Sequence, residues 1–320
     1  MRRLLYRQAA LDEILAFLIA ILFSTPLFLS AADLNQETLN AWNEYIRGVN
    51  FEMNERSAGA APFFWMDEAP GRRERVRLGE ILVEPASKES PVKIPQGLIH
   101  NWLGAVFIPN ATISSVFRLL NDYGHYDRIY NPAVVDGKLL NVSGAMRQFS
   151  LVLAEKAPFV TAAIVSEYTS QSVRLDKHRS YTITYSTRIQ QIDNYGRPGA
   201  HELPPDQGTG YIWRLFSIQR FEERDGGVYS ELETIALSRS IPFEIHWLVM
   251  PILQHLPRET MTATLQKTRD AVSAAVSAKA AEPAIPEPPS GSSERSSKTL
   301  GAPRSQPARS LPATTVLGMQ

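Results

Sequence analysis

From Val160 to Ser238 runs of β-branched and aromatic residues alternate mostly at every second position, the period of a strand with one face buried, and near both ends of the chain apolar residues recur at helical spacing. Leu98 to Ile108 is β-rich and too apolar to be half exposed, and it is ended by Pro109 and Asn110. Thr112 and Ser114 then offer hydroxyls at a helix start, and Ile113, Val116, Phe117 and Leu120 share one face of a short helix ending near Asn121 to Gly124. The loop YGHYDRIY follows. Six more strands are predicted: Val134 to Asn141, Met146 to Glu155, Val160 to Ser170, Ser180 to Ile192, Tyr211 to Glu222 and Gly227 to Ser238. Ser143-Gly144 and Asp225-Gly226-Gly227 are hairpin turns, and the Gly- and Pro-rich 194–210 is a longer surface loop. Neighbours joined this way form an antiparallel sheet, seven strands in a meander.

The flanks are helical. Asp33 and Gln36 open a helix with Leu39, Trp42, Ile46 and Val49 near one face. Asn54 to Ala61 reads as a linker and PFFWM (62–66) as an aperiodic apolar plug; RRERVR (72–77) reads as a solvated strand edge, leading to a short strand through Val76, Leu78, Ile81 and Val83 and a Pro-punctuated loop over 85–97. Ile241 to Leu256 is apolar but broken by Pro242 and Pro251, and Pro257 opens a last helix to about Lys279 with Met261, Leu265, Val272 and Val276 as its buried stripe. Large apolar groups stand on both alternating sets of Tyr211 to Ile218, whereas Tyr181, Ile183 and Tyr185 alternate cleanly with Thr182, Thr184 and Ser186. This predicts a curved sheet with one face partly wet and a concave side lined by aromatic and aliphatic groups.

The two ends have their own character. Arg2, Arg3 and Arg7 precede an apolar run over 14–23, and Ser30-Ala31-Ala32 fits a cleavage site: a signal peptide over 1–32, or a single-span anchor if it is retained. Either reading puts the rest outside the cytoplasm, periplasmic or secreted, and retention would give membrane association through residues 14–29. Residues 280–320 are Ala, Pro, Ser and Glu, a disordered tail.

Composition narrows the chemistry. Formal charge balances, with 33 basic and 33 acidic residues, which argues against a nucleic-acid partner. The absence of cysteine removes disulfides, thiolate chemistry and Cys-ligated metals. Six histidines show no ligand spacing, no GxSxG or SxxK serine context occurs, and no glycine-rich phosphate loop follows a strand. No metal and no cofactor is expected, and no catalytic residue is assigned.

The segments WLGAVFIPNATISSVFRLLNDYGHYDRIYNPAVVDGKLL and IPFEIHWLVMPILQHLPRETMTATLQKTRDAV, with six antiparallel strands between them, give an order of strand, two short helices, six strands and a long helix. In this order the chain resembles the START-like or SRPBCC superfamily, of the polyketide cyclase and lipid-transport type, as a bacterial exported member. The resemblance implies an α+β helix-grip fold over 97–279, a curved seven-stranded sheet crossed by the C-terminal helix, with 33–96 packing on it as an extension. It also implies a hydrophobic partner, a lipid, isoprenoid or polyketide-like molecule, gripped between sheet and last helix. The family has no universal catalytic residue to carry over.

Candidate ligand contacts follow from the residues. Tyr123, His125, Tyr126 and Tyr130 of the aromatic loop could rim a pocket and orient a polar head group, the plainer alternative being that the tyrosines are core. Arg147, Glu167 and Glu231 stand in strands that otherwise read apolar, where an ion must be paired or wet. Tyr181, Ile183 and Tyr185, and Tyr211, Trp213 and Leu215, are two same-face sets expected to line the pocket or the core. The expected function is a non-catalytic carrier or sensor. The alternative is a cyclase or aromatase, which needs two of His100, His125, Glu167 and Glu231 to converge.

Overall fold

The computed structural model describes residues 34–157, 160–208, 212–240 and 246–281; the expected export signal lies outside them, as does the expected tail except for residues 280–281, which are helical. The chain opens with helix α1 (Gln36–Ala58), capped by the Asn35 side chain, which accepts from the Thr38 amide at 2.8 Å. It runs through most of the expected linker and stops at Gly59, whose φ of 80° supplies the left-handed cap. A 3-10 turn (Trp65–Asp67) and helix α2 (Arg72–Arg77) follow. RRERVR is therefore helical and not a strand edge: Arg75 and Glu80 pair side by side, and only Val76 is buried.

Among the described residues ten strands form one sheet, three more than the seven of the expected meander. They are β1 (Leu82–Pro85), β2 (Val92–Ile94), β3 (Gly97–Pro109), β4 (Val134–Ser143), β5 (Met146–Ala157), β6 (Val160–Arg174), β7 (Arg179–Asp193), β8 (His201–Glu202), β9 (Arg214–Arg224) and β10 (Gly227–Arg239). The order is β1-β3-β10-β9-β7-β6-β5-β4, all antiparallel, with β2 on β3 and β8 on β7. The seven long strands are those the alternation predicts; the additional three are short pieces paired on a long neighbour. The meander closes back on itself in one respect, because β3 pairs the last strand, β10, and not β4. Asp225 and Gly226, at φ of 55° and 76°, make the tight β9–β10 turn.

Between β3 and β4 lie helix α3 (Ile113–Leu120), a 3-10 turn (Tyr123–His125) and helix α4 (Tyr126–Ile129). Thr112 and Ser115 form a reciprocal capping box at the start of α3. The last helix, α5 (His246–Ala281), begins earlier than expected and runs through Pro251 and Pro257 as one element.

The pleat sends alternate residues to opposite faces, and the faces have different covers. On one, α5 lies over β3 and β1: Met261, Leu265 and Val272 pack with Trp102, Val106, Ile108, Phe221 and Val228. Gly104 is the crossing point, where an added Cβ would stand 2.7 Å from both Leu265 Cδ1 and Met261 Sδ. On the other face α1 and the 62–66 plug bury Trp42, Val49, Met53, Phe63, Phe64, Trp65 and Met66 against Ile99, Leu103, Phe107, Phe216, Ile218, Tyr229 and Ile235. That double cover explains why β3 is apolar at nearly every position.

The tightest approach lies at the sheet edge: a Cβ on Gly137 would sit 2.3 Å from the Tyr123 carbonyl oxygen, a backbone atom. Gly137→Ala is expected to destabilise the fold by about 1–3 kcal/mol, and Gly104→Ala by less, because its neighbours are the ends of flexible side chains. Urea denaturation of both variants checks the order; a larger loss for Gly104→Ala would contradict it.

Candidate functional site

Register identifies what faces α5. Trp102, Thr234, Ser217, Thr184, Ser170 and Arg147 are successive partners across β3, β10, β9, β7, β6 and β5, so they share one face and form one transverse row. Beside it run Leu232, Gln219, Thr182 and Ser172. On the other side are His100, Ala236 and Leu215, continuing to Ser186, Tyr168 and Phe149. Small hydroxyl side chains thus pave the middle of the sheet. They bond to one another: Thr184 donates to Ser170 at 2.9 Å, Ser172 and Thr182 stand 3.0 Å apart, and Gln219 Nε2 donates to Ser230 at 3.1 Å.

This floor is not sealed. Thr182, Thr184, Ser186, Leu215, Ser217, Gln219, Leu232, Thr234 and Ala236 are all half-buried, although they sit on interior strands. Their neighbours across the pleat on β9 and β10, Phe216, Ile218, Arg220, Glu233 and Ile235, are buried, whereas on β7 Tyr181, Ile183 and Tyr185 are half-buried like the hydroxyls beside them. Among the described residues the side chains of α5 pack on the β1–β3–β10 side, and the floor along β7 and the middle of β9 is half-buried.

One wall is aromatic. Tyr123 stacks on Phe149 at 4.1 Å, and Phe149 on Tyr168 at 5.1 Å, with Leu151 and Leu215 against them. Burial raises the Tyr123 hydroxyl pKa, opposed by the nearby Arg147 charge and a hydrogen bond with Ser170. A guanidinium, a phenol and a serine therefore converge at the end of the hydroxyl row. Arg147 is partly buried and has no ion-pair partner among the described residues. Tyr126 and Tyr130 are structural: Tyr126 donates to the Leu120 carbonyl at 2.6 Å, and the Tyr130 hydroxyl lies 3.0 Å from Thr268 Oγ1, tying α4 to α5. His125 is exposed and bonded to Asp122 at 2.7 Å.

Other expected contacts lie elsewhere. Tyr181, Ile183 and Tyr185 face α1, with Tyr181 hydrogen-bonded to Ser57, because they alternate with the hydroxyls of the floor. Glu167 is on that same face, 3.5 Å from Arg188 and partly exposed. Trp213 is buried in the α1-side core, and Tyr211 falls outside the described residues. Glu231 belongs to a buried network under α1. Arg220, 2% exposed, donates to Glu231 at 3.2 Å and to Glu233 at 2.8 Å, and Glu231 accepts from the amides of Trp65 and Met66 at 2.9 and 3.0 Å. Asn101 bridges Glu233 and Tyr45. Burial raises the Glu231 pKa, held back by Arg220 and the two amides. Of the expected set, Tyr123, Arg147 and Leu215 come together on the α5 face. The hydroxyl row was missed; its signal was the Thr182, Thr184, Ser186 alternation, which also suits a face turned to bulk water.

The four groups that acid–base chemistry would need are apart. His100 is buried on β3 beside Ser238 at 3.0 Å, His125 is outside on the exit of α3, and Glu167 and Glu231 are on the α1 side. No cluster of metal-ligating side chains occurs among the described residues. Two hollows are found elsewhere among the described residues. One of about 20 Å³ lies between Ile164, Ile189 and Trp213, and an open cleft of about 320 Å³ lies at Asn110, His178 and Glu223, where Glu223 is spent accepting the Ile113 amide of α3 at 2.9 Å.

No protein-family model matches the chain, and no curated protein matches it. Among solved structures, a STAR-related lipid transfer protein fragment from Xanthomonas axonopodis aligns at 17% identity and a TM-score of 0.39, covering 59% of this chain and 98% of that one. The Zhui aromatase/cyclase from a Streptomyces species aligns at 11% identity and 0.38, covering 56% and 96%. The protein TTHA0849 from Thermus thermophilus aligns at 16% and 0.38, covering 54% and 97%. At such scores the likenesses carry no argument; the helix-grip arrangement stands on the element order and strand order described above.

Burial lowers the His100 pKa from its ordinary 6.5 to about 4. A neutral His100 in the fold and a protonated one in the unfolded chain mean that its contribution is intact above pH 6.5 and is lost as pH falls toward 4. The urea midpoint is expected to drop across that window, and His100→Asn to flatten the drop; an unchanged slope in the variant would assign the acid sensitivity to other groups.

Proposed function

We propose that the chain holds an elongated, mostly apolar ligand with one polar end on the α5 face of its sheet, and acts as a carrier or sensor without turning the ligand over. The observation that carries this reading is the contrast between the two faces of the same strands. Ser217 and Thr234 are half-buried while Ile218 and Ile235 beside them are fully buried. An interior strand with an open, small-residue face leaves room that core packing does not need.

The lining suggests the ligand's character. Leu215, Leu232, Ala236 and the Tyr123–Phe149–Tyr168 wall supply apolar surface, and the hydroxyl row can meet oxygen atoms along the ligand. Arg147 with Tyr123 and Ser170 would receive a polar or anionic end, since a half-buried guanidinium with no carboxylate partner among the described residues is best satisfied that way. In this reading the protein works outside the cytoplasm, with residues 1–32 as its export signal.

Native mass spectrometry of the purified protein, with solvent extraction of any bound molecule, tests the proposal, and a pyrene-labelled long-chain fatty acid serves as probe. Thr184→Trp, which fills the middle of the floor, is expected to lower probe affinity about tenfold or more with little change in melting temperature. Arg147→Met removes a charge-assisted hydrogen bond of about 1.5–3 kcal/mol, roughly tenfold or more in affinity. Probe binding that is absent, or indifferent to Thr184→Trp, would refute the site.

A further inference from the structure

Of the seven large apolar side chains that are exposed among the described residues, five belong to one hairpin: Val135, Leu139, Leu140, Val142 and Met146, at 39 to 50% relative exposure. Every residue from Lys138 to Met146 is exposed, and the β4–β5 turn at Gly144, φ 58°, forms the tip. From 134 to 154 the ionisable side chains are Asp136, Lys138 and Arg147, and the two basic ones bracket an uncharged apolar stretch, LLNVSGAM.

We propose that this hairpin is a docking element that dips its apolar tip into the interface of a bilayer carrying anionic phospholipid. Core packing does not account for it, because a contiguous exposed apolar patch on a free strand is a liability unless something covers it. A second copy of the chain is the other natural occupant of a free edge, and the strand is built against it. Its pairing with β5 is interrupted between Val134 and Asp136 and between Leu139 and Asn141, leaving Val135 and Leu140 as bulges, with Lys138 on the stretch between. Bulges and a lysine spoil edge-to-edge pairing. The same bulge at Leu140 breaks the alternation, so that Leu139, Leu140 and Val142 stand close together at the end of the ribbon. Apolar side chains there with a lysine and an arginine at their base match a lipid interface, where the tip enters the acyl boundary and the cations meet phosphate. The placement also has a geometric consequence: Val142 pairs directly with Arg147, so a docked hairpin would bring the polar end of the α5-face floor to the membrane.

The chain contains no cysteine, so one introduced thiol reports one position. The full-length protein carrying Leu140→Cys is labelled with an environment-sensitive NBD dye and titrated with phosphatidylcholine vesicles with and without about one quarter phosphatidylglycerol. Arg197→Cys, on an exposed loop residue after β7, serves as control. The expected result is an NBD emission increase of about twofold or more with a blue shift at position 140, only with the anionic vesicles, and no change at position 197. Lys138→Glu should reduce the apparent vesicle affinity several-fold, and Leu139→Ser with Val142→Ser should abolish the response. The proposal is overturned if position 140 stays silent on anionic vesicles, or if both positions respond alike. It is also overturned if the dye at 140 responds to protein concentration without vesicles while sedimentation shows a dimer, which would make a second copy the occupant.

Discussion

The buried guanidinium of Arg220 is the interaction on which the architecture depends. It stands between two carboxylates, Glu231 and Glu233, in a layer where all three are buried. Such a group is tolerable only when every charge is met, and removing one partner typically costs about 3–5 kcal/mol. Here the missing bonds come from outside the pair of strands: the amides of Trp65 and Met66 complete Glu231, and Asn101, itself held by Tyr45 of α1, completes Glu233. The network therefore needs the N-terminal helix and the aromatic plug in place. It makes 36–67 part of the fold rather than an appendage.

With that face closed by α1, the other is free for function. The pleat forces each interior strand to serve both layers at once: along the middle of β9 and β10 apolar bulk and the Arg220 ion network go to the α1 side, and Ser217, Gln219 and Thr234 go to the α5 side. Gly104 lets α5 approach at one end of the sheet, while β7 and β9 keep an accessible floor. Tyr123, delivered by the turn between α3 and α4, closes one end beside Arg147. The site is thus assembled from the first long strand's exit, the interior of the meander and the last helix.

Much of this is legible in the sequence, and the errors have physical reasons. The seven long strands follow from alternation and turn chemistry, and Thr112 marks the start of α3. Alternation tells which residues share a face, but not which layer covers that face. Tyr181, Ile183 and Tyr185 do share a face, but on the side opposite to the floor, since aromatic bulk suits a core beneath α1 as well as a pocket. Glu231 looks like a pocket ion because its partner Arg220 is on another strand and its amide donors lie far back in the chain. The bulges at Val135 and Leu140 and the two-residue β8 depend on pairing geometry that local sequence does not carry. Pro251, a break by local rule, and Pro257, a helix start by local rule, both sit within α5.

The central claim is that along the middle of β9 and β10 the α1 face of the sheet is sealed and the α5 face is open. In a cysteine-free chain, the rates at which a small maleimide modifies Ser217→Cys and Ile218→Cys in the native state measure it directly, because these neighbours on β9 point to opposite faces. The account predicts that Cys at 217 reacts about a hundredfold faster than Cys at 218, or more, and that the difference disappears in denaturant. Equal protection of both positions in the native protein would contradict it.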